Sequence, residues 1–148
     1  LLLEKGTELG VDAFWIFPGD HSAKKEFYPN QLERCHTVLI SAMKQCGGLY
    51  LPSLILMQPL KSWKKNDSTL FFGDLNPGVP LFKASWEKID PPSYPIVFIT
   101  GPEGGFSSEE IDKLYELEGH GVRLHDNILR AETASLMALS LLSHWIQN

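Results

Sequence analysis

A chain of 148 residues with 43% hydrophobic and 21% charged side chains has the composition of one globular domain. Those proportions exclude a disordered, collagen-like or coiled-coil protein, and the longest apolar run, residues 136–142, carries Ser140 and is too short to cross a bilayer. The net charge of −5 is uneven: residues 1–100 hold 10 basic and 10 acidic side chains, and residues 101–148 hold 3 against 8. That balance argues against nucleic-acid binding by this chain alone, because phosphate contacts need Lys and Arg. The mild cluster Lys61, Lys64 and Lys65 reads as a solvated face.

The chain opens on Leu1-Leu2-Leu3 without Met and without a signal-peptide pattern, so it reads as a fragment with residues expected upstream. Residues 2–9 predict a helix, 13–17 a strand, 29–45 a helix and 53–57 a second strand. A strand at 69–72 follows, then the proline-rich stretch 73–95, loop-like apart from a short helix at 81–88. Residues 96–100 predict a strand, 108–118 a helix, 122–125 a weaker strand and 131–147 a long apolar helix. The strand runs are nearly continuous in apolar character, which predicts strands covered on both faces, as in a parallel sheet. The helix after Ser107 is marked by a capping box (Ser107 and Glu110), an apolar stripe (Ile111, Leu114, Tyr115) and Gly119 at the C′ position. Strand–helix alternation predicts an α/β fold, mostly parallel sheet flanked by helices, as one domain over residues 1–148.

Cys35 and Cys46 lie eleven residues apart on a predicted helix, roughly 16 Å at 1.5 Å per residue, so free thiols in a reducing cytoplasm are expected. The five histidines show no metal-ligand spacing, and no metal is expected. Trp15, in a strand, and Trp145, in an apolar helix, read as core or subunit-interface residues.

In open α/β sheets ligands bind beyond the carboxyl ends of the strands. Three segments leave strands there: Gly73-Asp74-Leu75-Asn76-Pro77-Gly78, Gly101-Pro102-Glu103-Gly104-Gly105-Phe106, and Asp126-Asn127-Ile128-Leu129-Arg130-Ala131-Glu132-Thr133. The glycines of the second permit positive φ and close backbone approach to a ligand, next to a helix N-terminus. The spacing matches neither phosphate-loop pattern, no Lys follows, and Glu103 would repel a phosphate; a neutral or cationic ligand with an adenosine face fits better. A glycine-rich turn with a helix cap is the plain alternative, of comparable weight on the loop alone. In the third segment Glu132 and Thr133 are placed to serve the helix dipole and cap, while Arg130 is placed at the ligand rim.

The pair GPEGGFSSEEI and LHDNILRAETASLMAL, with Lys5, Glu8, Leu9, Gly10 and Val11 matching a K-x-x-E-L-G-V opening, resembles the RsmE family of 16S ribosomal RNA (uracil-N3)-methyltransferases in the SPOUT superfamily. The resemblance runs across nearly the whole chain. It implies an α/β knot, with the carboxy-terminal segment threaded as a trefoil, and a cytoplasmic homodimer without a membrane segment. It implies S-adenosyl-L-methionine as cofactor, held by Gly101, Pro102, Glu103, Gly104, Gly105, Leu124, Asn127, Ile128, Leu129 and Thr133, and no metal. The partner would be 16S rRNA of the small ribosomal subunit, and family members carry an amino-terminal PUA-like RNA-binding domain that nothing here matches. The candidate catalytic residues are Arg130, stabilising charge on the uracil carbonyl oxygens, and Glu132, with Glu103 a second candidate for the base.

The chain departs from the family pattern in two places. E-A-x-E-Q-S-x-R reads Ser41-Ala42-Met43-Lys44-Gln45-Cys46-Gly47-Gly48, and L-G-x-R-I-L-R reads Leu124-His125-Asp126-Asn127-Ile128-Leu129-Arg130. Two basic positions are lost. The alternatives are therefore a SPOUT methyltransferase acting on another RNA, or a non-catalytic domain that binds S-adenosylmethionine or RNA.

Overall fold

The computed structural model describes residues 1–23 and 26–147. In chain order the elements are α1 (Leu2–Glu8), β1 (Ala13–Ile16), α2 (Pro29–Cys46), β2 (Ser53–Leu56), a 3-10 turn (Leu60–Ser62), β3 (Thr69–Gly73), α3 (Phe82–Glu87), β4 (Ile96–Ile99), α4 (Ser108–Glu116), β5 (His120–Val122) and α5 (Ala131–Gln147). Every strand pair is parallel. β1 pairs with β2, and a second sheet runs β4-β3-β5 with β3 at its centre. The expected α/β architecture with parallel strands and flanking helices is present, though its strands form two sheets.

Helix ends follow their local chemistry. Pro29 opens α2 at a position where its missing N–H costs nothing, and Gly47, at φ 74°, closes it in the left-handed region. At α4 the Ser107 hydroxyl accepts from the Glu110 N–H at 3.1 Å, and the Glu110 carboxylate accepts from the Ser107 N–H at 3.0 Å. The far end differs from the expectation. The left-handed residue is Glu118, at φ 61°, and Gly119 follows it. The Gly119 N–H donates to Leu114 O and the Glu118 N–H to Tyr115 O, both at 2.9 Å, which is the Schellman pattern. Gly119 is needed for space: a Cβ there would stand 2.8 Å from the Leu114 carbonyl oxygen. Helix α4 therefore stops at Glu116, and β5 begins at His120, earlier than the apolar pattern at 122–125 suggests.

Strand β3 is buried from Thr69 to Phe72. Side chains alternate across a strand, so its two faces feed two cores. Leu70 and Phe72 pack with Leu60, Ile99 and Leu114; Phe71 packs with Phe82, Val122, Ala138 and Leu142. Trp145 of α5 joins the second core, stacked on Trp86 and edge-on to Phe82. Trp15 and Phe17 meet Trp63 edge-on, and the Trp63 indole donates to Gln58 O at 2.7 Å. Strand β2 departs from the expectation of cover on both faces. Ser53, Ile55 and Leu56 are exposed, and β2 is bonded only to β1 among the described residues. Cys35 and Cys46 are free thiols on α2.

Candidate functional site

Because β3, β4 and β5 run parallel, their carboxyl ends share one edge, and the chain leaves all three there. Backbone bonds tie these exits together. The Asp74 N–H donates to Val122 O at 3.0 Å, the Arg123 N–H to Pro80 O at 2.8 Å, and the Phe82 N–H to Arg123 O at 3.0 Å. The chain beyond β5 thus runs along residues 80–82. On the other side, the Thr100 and Ser135 hydroxyls bond at 2.8 Å, fixing the end of β4 to α5.

The glycine loop is closed tightly. The Gly105 N–H donates to Pro102 O at 2.8 Å, and Gly105 stands at φ 76° with nothing within 4 Å of where a Cβ would be. Gly101 is confined instead: a Cβ would lie 3.1 Å from the Phe106 nitrogen. At Gly104 a Cβ would meet His21 at 2.8 Å, and His21 Nδ1 bonds Gly104 O at 3.1 Å. The same β1–α2 loop offers Asp20, which accepts from the Ser107 hydroxyl and donates its N–H to Glu110 at 3.4 Å. Glu103 is exposed and Pro102 half-buried. The sequence reading missed this brace, since His21 alone carries no signal that it packs against residue 104.

In the third loop Leu124 packs into the second core, anchoring the segment. Arg123 pairs with the Asp126 carboxylate, and the Asn127 N–H donates to His125 Nδ1 at 3.0 Å. Asn127 is exposed, Ile128 is 79% exposed, and Leu129 is half-buried. Arg130 is exposed, and its carbonyl accepts the Ala134 N–H at 2.8 Å at the entrance to α5. Glu132 is half-buried in the first turn of α5; Thr133 is the helix's third residue and exposed. The side chains of Arg130, Glu103 and Glu132 have no hydrogen-bond or ion-pair partner among the described residues. Residues 101–105 and 124–130 therefore occupy one edge, joined through the β4-β3-β5 sheet. The lysine cluster lies at the opposite edge: Lys65 precedes β3 and pairs at 2.8 Å with Glu118, beyond the end of α4.

In the first loop, the pairing of Asp74 with Tyr115 carries no signal in the sequence. Asp74 is 4% exposed at the end of β3 and accepts the Tyr115 hydroxyl at 2.6 Å and the Asn76 N–H at 3.0 Å. Burial of the phenol, with the hydrogen bond to and charge of Asp74 behind it, pushes the Tyr115 hydroxyl up to about 12. Among the described residues no group of three or more His, Cys, Asp or Glu is gathered that could hold a metal ion.

This geometry matches known proteins closely. The family model described as an RNA methyltransferase domain matches residues 1–143. A ribosomal RNA small subunit methyltransferase E of Buchnera aphidicola is 29% identical over 147 residues, covering 95% of this chain and 56% of that protein. The Helicobacter pylori (strain J99) protein of the same name is 31% identical over 140 residues, again covering 56% of its length. Among solved structures, a ribosomal RNA small subunit methyltransferase E from Neisseria gonorrhoeae bound to S-adenosyl methionine superimposes with a TM-score of 0.79 at 29% identity. That match covers 97% of this chain and 59% of the other. The chain thus spans less than two thirds of the length of these relatives, and it belongs to the RNA methyltransferase domain family.

Proposed function

We propose that this chain is the catalytic domain of an enzyme that transfers a methyl group from S-adenosyl-L-methionine to N3 of a uridine in 16S rRNA of the small ribosomal subunit. The observation that carries the reading is that the 101–105 and 124–130 loops leave the sheet at the same carboxyl edge of parallel strands β4-β3-β5. The residues suit the cofactor. Gly105 leaves open space where a Cβ would stand, and Leu75 and Ile128 offer uncovered apolar side chains, 74% and 79% exposed, to an adenosine. Backbone groups of Gly101, Pro102, Glu103, Gly104 and Gly105 would hold it on one side, and Leu124, Asn127, Ile128, Leu129 and Thr133 on the other.

When bound, S-adenosylmethionine supplies a methyl group already activated on a sulfonium. The chain's part is alignment and proton removal. Arg130, a cation whose side chain has no partner among the described residues, stabilises negative charge growing on the uracil carbonyl oxygens in this reading. Glu132 or Glu103 accepts the N3 proton. The target base is flipped out of its stack to reach the edge. In this reading the segment beyond β5 forms the knot of the SPOUT fold and the protein works as a cytoplasmic homodimer. A PUA-like RNA-binding domain, outside residues 1–148, adds positive surface to a chain whose net charge is −5. No helix among the described residues is long and apolar enough to cross a membrane. A second reading, methylation of another RNA, is favoured by the exposed Asn127 where the family pattern has arginine.

The test is transfer of labelled methyl to ribosomal RNA by the full-length protein, with the modified base mapped. Arg130→Ala is expected to lower turnover roughly 100-fold or more, the loss typical of an oxyanion-stabilising group, with cofactor affinity nearly intact. Equal loss of both would assign Arg130 a structural role; a label on another RNA would favour the second reading.

A further inference from the structure

A heavily constrained polar group outside the two proposed cofactor loops is the Asp74 carboxylate. It is buried at the end of the central strand, and each of its oxygens is used: Oδ2 by the Tyr115 hydroxyl at 2.6 Å, Oδ1 by the Asn76 N–H at 3.0 Å. The second bond is an Asx turn, which sets the direction in which the chain leaves β3. Beyond it residues 75–78 are all exposed, on the edge shared with residues 101–105 and 124–130. The first bond crosses from α4 over the backbone of β5. A Cβ at Gly121 would lie 2.2 Å from the Tyr115 oxygen and 3.2 Å from the Asp74 Cβ, so the crossing exists only because residue 121 is glycine. The Tyr115 ring stays half exposed and edge-on to Phe72 while its hydroxyl turns inward. Three separate elements thus meet on one carboxylate.

We propose that Asp74 and Tyr115, admitted by Gly121, form a latch that positions the 74–78 loop for S-adenosylmethionine, making both positioning residues of the transferase site. This rests on the cofactor reading above. The latch touches no reacting atom; it fixes the loop that presents Leu75 and the backbone of residues 76–78 to the ligand. Its protonation fits the role, because the raised phenol stays a donor throughout the neutral range.

The experiment is calorimetric titration of the 148-residue chain with S-adenosylhomocysteine, alongside ultraviolet titration of the phenol. Asp74→Ala removes both acceptors and is expected to weaken binding roughly tenfold, a net loss of one to two buried hydrogen bonds. Asp74→Asn keeps an oxygen for the Asn76 N–H and is expected to stay within about threefold of the parent. Tyr115→Phe keeps the Asx turn but frees it from α4, and a loss of about threefold is expected, together with disappearance of the phenol that titrates near 12. A purely structural role would lower the thermal midpoint of all three variants without this ranking of affinities. Should Asp74→Ala fail to fold, Asp74→Asn and Tyr115→Phe carry the test. Unchanged affinity in Asp74→Ala, or in a folded Tyr115→Phe, overturns the latch. No binding by the parent chain overturns the cofactor reading itself.

Discussion

Strands β3 and β2 are both largely apolar and are covered quite differently. Phe71 and Phe72 of β3 are 0% exposed, enclosed by α3, α4 and α5, while Ile55 and Leu56 of β2 are 41% and 48% exposed. Leu49 and Tyr50, in the approach to β2, are 88% and 87% exposed. Phe71 and Phe72 in β3 and Ile55 in β2 suit both segments to strands, but cover depends on position. A central strand has a neighbour on each side and helices on each face; an edge strand has one neighbour. The three loops proposed to hold the cofactor hang from the enclosed unit, so their geometry is set by a rigid support.

The sharpest way to break the comparison is to truncate one side chain in each half. Phe71→Ala empties a site between Phe82 and Trp86 and is expected to destabilise the chain by about 3–5 kcal/mol in urea unfolding. Ile55→Ala, already half in water, is expected to lower stability by less than about 1 kcal/mol. Similar losses at the two positions would mean that β2 is buried in solution by something other than this chain's own fold.

What could be read from the sequence was local. The α4 capping box needs only residues 107–110, and the buried run 69–72 needs only its own side chains. That the 101–105 and 124–130 loops share one edge follows from strand–helix alternation, because parallel strands leave their carboxyl ends together. Long-range pairings were not legible. Tyr115 reads as part of a helical apolar stripe, and nothing near it announces a carboxylate 41 residues earlier. His21 reaches Gly104 across 83 residues. Gly119 ends the helix as its position predicts, but Glu118 takes the left-handed conformation and Gly119 supplies room beside the Leu114 carbonyl. The exposure of β2 was invisible because apolar content does not say what packs against a strand's faces.

The cap at Ser107 gives a smaller effect within the enclosed unit. Its hydroxyl accepts from the Glu110 N–H and donates to Asp20, so it both starts α4 and ties the β1–α2 loop to the glycine loop. Ser107→Ala is expected to lower stability by about 1 kcal/mol, the usual worth of an N-cap. Ser108→Ala, one residue on and exposed, serves as the control and is expected to change little. If both variants behave alike in chemical denaturation, the cap contributes nothing beyond helix propensity.

The last difference between the halves appears only in alkaline solution. Tyr115 titrates near 12 in the folded chain and near the ordinary phenol value of 10.0 when unfolded. Between those values the folded state keeps a proton that the unfolded state has lost, so the folded state binds more protons and stability falls as pH rises. The stabilisation held by this phenol is complete below pH 10 and is lost on passing through 12. Tyr115→Phe removes the titrating group, so its unfolding free energy is expected to fall less steeply than the parent's over that interval. Parallel curves for the two proteins would show that the Tyr115 hydroxyl is not held by Asp74 in solution. The enclosed unit would then lack the link between α4 and the end of β3 that distinguishes it from the β1–β2 ribbon.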